Sequence, residues 1–150
     1  MATYYVAMAT KNKTLDQEAD VFRKTRQDHS SEIAEDYVEA IAQLHAEEGS
    51  CRVTRLAKRL GVSHVTANRT VTRLVARGLV TTSPYQPIEL TELGKTLAET
   101  ARVRHEIVFQ FLVALGVPES TANADSEGIE HHCSTPTLDA MKHFCMKRKK

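Results

Sequence analysis

Two acidic pairs and two histidines carry the first chemical signal in this chain of 150 residues. Asp36 and Glu39 stand three apart, which puts both carboxylates on one face of a helix. Glu127, Glu130 and His131 stand at i, i+3 and i+4 and share a face in the same way. His105 lies between the two groups. Together these are four carboxylates and two imidazoles, a donor set that suits one divalent cation or a pair. Taken singly, each acidic pair is also what a solvated helix face carries, and a lone histidine is more often a packing residue. A zinc protease is not indicated, because the run from His105 is HEIVF and lacks the second histidine of HExxH. A di-metal carboxylate oxidase is the enzymatic alternative, but such sites draw on long bundle helices.

Between the two ligand groups lies a block of opposite character. Residues 1–48 hold five bases and ten acids, residues 49–88 seven bases and no acid, and residues 89–150 eight bases and nine acids. The formal net charge of +1 is therefore a sum over unlike parts. Taken whole it excludes a strongly basic or a strongly acidic protein, but the middle block alone is net +7.

That block, TRLAKRLGVSHVTANRTVTRL, reads as two short helices meeting at a tight turn. Leu56, Leu60 and Val62 fill the corner, small Ala57 permits close approach, Gly61 allows the turn, and Ser63 caps the second helix. Two short β segments follow, Leu79–Ser83 and Ile88–Thr91, so the unit reads as a winged helix-turn-helix. A helix fits the DNA major groove, and its first turns present side chains to base edges. Ser63, His64, Val65, Thr66, Asn68 and Arg69 occupy those positions. Arg52, Arg55, Lys58, Arg73 and Arg77 suit phosphates, which give affinity and register. The competing reading is a helical hairpin with a solvated basic face. Ala67 and Thr70 are less apolar than an inner helix face usually is, and the wing tip 84–87 has no glycine.

The elements that must position the ligands are helical. One helical pattern starts at Asp16 with Val21 and Phe22, and Asp28-His29-Ser30-Ser31 predicts a break. The next helix, Glu32 to Glu47, carries an apolar stripe of Ile33, Tyr37, Ala40, Ile41 and Leu44. After the wing, Thr91 caps a long helix to about Leu115, ended by Gly116 and Pro118. A short helix from Glu119 to about Cys133 and another from Thr135 to Met146 complete the chain. The run Ile107 to Leu115 is apolar almost all round, so it needs cover on more than one side, from a partner subunit or from an internal core.

The expected fold class is mainly α: a winged helix-turn-helix DNA-binding domain plus a helical metal-binding and dimerisation domain. The boundaries are a mobile start over 1–15, the N-terminal helices and winged helix over 16–91, the helical domain over 92–146, and a basic tail over 147–150. No apolar run approaches the ~20 residues that span a bilayer. The N-terminus does not read as a secretory signal. Three widely spaced cysteines, Cys51, Cys133 and Cys145, form no disulfide framework and point to a reducing cytoplasm.

The segments EDYVEAI (35–41), RHEIVFQFLVALGV (104–117) and DSEGIEHHCS (125–134), in this order around the winged helix, resemble the diphtheria-toxin-repressor family, and within it the manganese-regulator branch. The resemblance covers about Glu32 to Phe144. It implies a non-enzymatic, homodimeric repressor that binds a palindromic double-stranded operator near manganese uptake genes. It implies Asp36, Glu127, Glu130 and His131 as one metal site. Glu39 and His105 join a neighbouring site, with Glu127 and Glu130 bridging. Some members share the extra N-terminal helix, and the SH3-like domain of larger members is expected to be absent. Asp36 and Glu127 are oxygen donors where iron-sensing relatives tend to use sulfur, and hard oxygen suits Mn2+, one or two per subunit. Fe2+, Zn2+ or another ligand is the alternative, favoured if Cys133 joined as a thiolate. His132 reads as a neighbour of the site.

In this reading the crowded carboxylates repel one another until a cation relieves them. The metal then restrains each DNA-binding unit so that recognition helices ~34 Å apart enter successive major grooves.

Overall fold

The computed structural model describes residues 15–148, with some side chains before Ser30 left undescribed. Residues 1–14 of the expected mobile start (1–15) and the end of the basic tail (149–150) lie outside the described residues, as does the side chain of Val21, while Leu15 already belongs to α1. The order of elements is α1 (Leu15–Glu48), α2 (Val53–Leu60), α3 (His64–Ala76), β1 (Val80–Thr81), β2 (Glu89–Leu90), α4 (Glu92–Ala114), α5 (Glu119–Ile129), a 3-10 turn (Glu130–His132) and α6 (Thr135–Arg148). No described helix is long and apolar enough to cross a membrane.

Several sequence expectations change, among them the helix expected from Glu119 to about Cys133, which ends at Ile129 and gives way to a 3-10 turn. Asp28-His29-Ser30-Ser31 does not break the chain, and α1 is one helix of 34 residues. Its serines at 30 and 31 are exposed, and His29 Nδ1 lies 2.9 Å from Glu32 Oε2, so the turn satisfies itself. Once later turns are anchored by burial, propagating a helix through weak formers costs little. Of the expected stripe of α1, Tyr37, Ala40, Ile41 and Leu44 are buried, but Ile33 is 44% exposed, and Ala34 and Val38 join the buried face. The basic tail, finally, is in part helical, since Lys147 and Arg148 form the last turn of α6.

The main core ties α1 to the winged helix and to the start of α4. It holds Tyr37, Val38, Ile41 and Leu44 of α1, Leu56 of α2, Val71 and Leu74 of α3, Val80, Ile88 and Ala98. Ala67 and Thr70, modest by composition, are both buried on the inner face of α3, where small side chains let helices approach. The turn between α2 and α3 passes through Gly61 at φ +66, a conformation glycine adopts without a Cβ clash. Ser63 then caps α3, its Oγ accepting from Thr66 N at 3.1 Å.

The wing is short. Val80 pairs with Leu90 and Thr81 with Glu89, antiparallel, so each strand is briefer than its sequence segment. Thr91 caps α4 by accepting from Gly94 N, and its hydroxyl donates to Gly78 O at 2.6 Å. Gly94 sits where a Cβ would lie 2.0 Å from Leu79 O, so α4 docks backbone to backbone on the end of the winged helix. Beyond this dock α4 packs against α1, α5 and α6.

Candidate metal centre and DNA-facing surface

Four elements deliver five of the six predicted ligands to the lining of one cleft of about 750 Å³, with Glu130 buried behind them. Asp36 and Glu39 come from α1, His105 from α4, Glu127 from the last turns of α5, and His131 from the 3-10 turn. Arg59 and Leu60 of α2 form another wall, so the cleft lies between the DNA-binding unit and the helical half.

The side chains fall into two groups that share the buried Glu130. His105 Nδ1 lies 3.3 Å from Glu127 Oε1 and 3.2 Å from Glu130 Oε2. These three residues offer ligand atoms that all lie within 4.8 Å of one another. On the other side, His131 Nε2 lies 3.3 Å from Asp36 Oδ1 and 3.7 Å from Glu130 Oε1. Glu39 lines the same cleft and makes no ion pair among the described residues. The switch from α-helix to a 3-10 turn at Glu130 keeps Glu130 inward and brings His131 across toward α1.

Glu130 is the telling residue. It is completely buried, and neither carboxylate oxygen has a hydrogen-bond partner among the described residues. His105 Nδ1 is near enough but out of alignment. A buried carboxylate with no partner costs several kcal/mol in effective terms, so the group responds by holding its proton. Burial first, then the charge of Glu39, pushes the Glu130 pKa up to about 8. Burial and the neighbouring Glu127 and Asp36 push Glu39 up to about 7. His131 moves the other way in charge: hydrogen bonding to Asp36 and Glu35 raises it to about 10. Hard oxygens, two imidazoles and an unsatisfied carboxylate between them fit a divalent cation.

Sequence reasoning missed Glu35 and Arg104. Burial opposes ionisation of Glu35, but hydrogen bonds from His131 and Arg104 together outweigh it and lower its pKa. One signal was available: Glu35 is an acid one helical turn before Val38, on the buried face, and an acid there demands a partner. Ser126 was also missed; its buried hydroxyl donates to Asn123 O at 2.9 Å and lies 3.4 Å from His105 Nε2.

The predicted DNA-facing residues lie at the start of α3 and around the wing. Ser63, His64, Val65, Thr66, Asn68, Arg69 and Arg73 are all exposed. Arg52 is exposed, and its Nη1 donates to Tyr85 O at the wing tip at 3.1 Å. Arg52, His64, Asn68 and Tyr85 line a cleft of about 480 Å³ between α3 and the wing. Among the described residues, Arg52, Lys58, Arg69 and Arg73 make no ion pair, which leaves their charge free for phosphate. Arg55 is different, being held by Glu48, as Arg59 is by Glu47. The glycine-free wing tip turns through Tyr85 at φ +65, with Gln86 N donating to Ser83 O at 3.0 Å.

The link from cleft to DNA surface is also physical. Past the ligands, α1 continues to His45, whose Nε2–H donates to Ile88 O at 2.7 Å beside the wing. Glu47 and Glu48 then clamp α2.

Known proteins share this arrangement. The family described as iron dependent repressor, N-terminal DNA binding domain, matches residues 29–88. The companion description, metal binding and dimerisation domain, matches residues 91–150. The transcriptional regulator MntR of Escherichia coli O6:H1 is 41% identical over 138 residues, covering 92% of this chain and 89% of the relative. MntR of Escherichia coli O157:H7 is 44% identical over 126 residues, 84% of this chain and 81% of the relative. A solved manganese-dependent transcriptional repressor in complex with manganese superposes at TM-score 0.65 and 28% identity, over 75% of this chain and 52% of its own. The chain therefore belongs to the iron-dependent repressor family, the diphtheria-toxin-repressor group that its motifs resemble.

Proposed function

We propose that this chain is a manganese-responsive DNA-binding transcriptional repressor that acts in the cytoplasm as a homodimer on a palindromic operator. It regulates by binding and performs no turnover. The single observation that carries the metal half of this reading is Glu130, buried between two histidines without a hydrogen-bond partner among the described residues. The domain division follows the same reading: 16–91 for DNA, 92–146 for metal and dimer.

Asp36, Glu130 and His131 would hold one ion, and His105, Glu127 and Glu130 a second, with Glu39 beside both. A bound cation supplies positive charge that removes the mutual repulsion of the carboxylates. The residues of the chain do the rest. Asp36 and Glu39 tie α1 to the helical half, where His105, Glu127, Glu130 and His131 reside. Because α1 shares a core with α2 and α3 and is clamped to α2 by Glu47, fixing α1 fixes the recognition helix. Such a switch works only if the competent arrangement binds metal better than the other one does. Ser63, His64, Val65, Thr66, Asn68 and Arg69 then meet base edges, and Arg52, Arg55 and Arg73 meet phosphates. Arg55 would exchange Glu48 for phosphate on binding.

Partial burial of Ile107, Phe109, Phe111, Leu112 and Val113 supports the dimer, since a second copy would finish their cover. The test is a gel shift on DNA selected from a random pool by the Mn2+-loaded protein. Binding is expected with Mn2+ and loss of binding with chelator. Equal binding in both would remove the switch.

A further inference from the structure

We propose that Glu35 is a positioning residue for His131, and that Arg104 holds Glu35 in the orientation this requires. The proposal rests on the metal-binding reading above and extends it to two residues outside the ligand set.

The geometry is a shared acceptor. His131 Nδ1–H donates to Glu35 Oε2 at 2.8 Å, and Arg104 Nη2 donates to the same oxygen. All three groups are withdrawn from water: Glu35 is 7% exposed, the His131 side chain 2% and the Arg104 side chain 22%. A ring nitrogen that donates to a carboxylate fixes the ring plane and leaves the opposite nitrogen as the ligand. Here the opposite nitrogen, Nε2, is the one that faces Asp36 and Glu130.

Two further observations separate this from an ordinary structural ion pair. An arginine paired for its own sake can take a carboxylate with two parallel N–H donors. Arg104 does not: its Nε is buried with no hydrogen-bond partner among the described residues. The carboxylate is turned toward His131 at the expense of that second bond. The pair also joins neighbours of the ligands, since Glu35 precedes Asp36 on α1 and Arg104 precedes His105 on α4. One contact therefore registers α1, α4 and the 3-10 turn, the elements whose ligands must converge.

The test compares Glu35→Gln with the unmodified protein. The amide keeps the shape but loses the charge that faces His131 and Arg104. Mn2+ affinity by calorimetric titration is expected to fall about 10–100-fold, as for other carboxylates behind metal-bound histidines. Histidine side-chain nitrogen spectra of the Cd2+-loaded protein give the second readout. The unmodified protein is expected to bind through Nε2 of His131 with Nδ1 protonated, and the variant to lose that single pattern. Arg104→Lys, which keeps a cation, serves as a second variant and is expected to weaken Mn2+ binding several-fold. Unchanged affinity and unchanged His131 spectra in the variants would overturn the proposal while leaving metal binding intact. No Mn2+ binding by the unmodified protein would overturn the metal reading, and this proposal with it.

Discussion

The winged helix and the helical half are built to different standards of completeness. In the winged helix Leu56, Val71, Leu74, Val80 and Ile88 are buried to 2% exposure or less, and Ser63 and Thr91 cap the helices that follow them. In the helical half the most apolar stretch of α4 has only Val108 fully buried, and its buried interior includes Glu130 and Ser126. The first region closes on an apolar core. The second has apolar surface and carboxylates left over. Its surplus of acceptors calls for a cation and its surplus of apolar surface for a second copy. In the proposed function the switch then lies in the cleft that joins the helical half to α1, and the DNA-reading surface is preformed.

The largest effect that sharpens this contrast is in the winged helix. Leu56→Ala removes a fully buried side chain from its core and is expected to destabilise by about 2–5 kcal/mol. Thermal melts with and without Mn2+ check it: both forms should drop by similar amounts, because the lost packing is not at the cleft.

Glu130→Gln gives the opposite result. Near neutral pH the metal-free protein should melt within about 1 kcal/mol of the unmodified one, since the amide replaces a carboxyl that is largely protonated there. The stabilisation by Mn2+, about 2.7 kcal/mol at a hundredfold excess over Kd, should vanish. A full Mn2+ shift in this variant would reduce the cluster to a solvated acidic face.

Acidity separates the two regions next. Glu39 keeps its proton up to about 7 and Glu130 up to about 8, against an ordinary value of 4.5. Across that interval the folded metal-free protein binds more protons than the unfolded chain, so raising the pH through it lowers stability. His131 acts in the same sense: raised to about 10 from 6.5, its contribution is full below 6.5 and lost as pH rises through about 10. Metal loading must release protons, so apparent Mn2+ affinity should rise between about pH 6 and about pH 8. Melts and titrations at both ends of that range check the two slopes, which should run in opposite directions.

The smallest effect is at the wing tip. Tyr85 holds the left-handed conformation at φ +65, which disfavours a non-glycine residue by about 1–2 kcal/mol. Tyr85→Gly relieves that strain but adds unfolded-state entropy, so a gain of at most about 1 kcal/mol is expected. The melt should shift equally with and without Mn2+.

Much of this division was legible in the sequence because helical spacing is a local rule. The i, i+3 spacing of Glu127 and Glu130 and the acid-free block each follow from a few neighbouring residues, whereas His131 leaves the expected helix face because α5 gives way to a 3-10 turn at Glu130. What was not legible is long-range. Glu35 and Arg104 lie 69 positions apart, and nothing local to either shows that they share an oxygen with His131. Arg55 looked free for phosphate because Glu48, its partner, lies outside the basic block. The break expected at Asp28–Ser31 failed for a related reason: local helix propensity was weak there, but packing of the following turns carried the helix through.

Peptide-resolved amide hydrogen exchange on the metal-free and Mn2+-loaded protein tests the contrast most directly. Protection is expected to rise in α4, in α5, in the 3-10 turn and in α1 around Asp36, while residues 53–90 exchange as before. Identical exchange with and without Mn2+, or a gain confined to the winged helix, would contradict a preformed DNA-reading unit fastened by a metal-completed helical half.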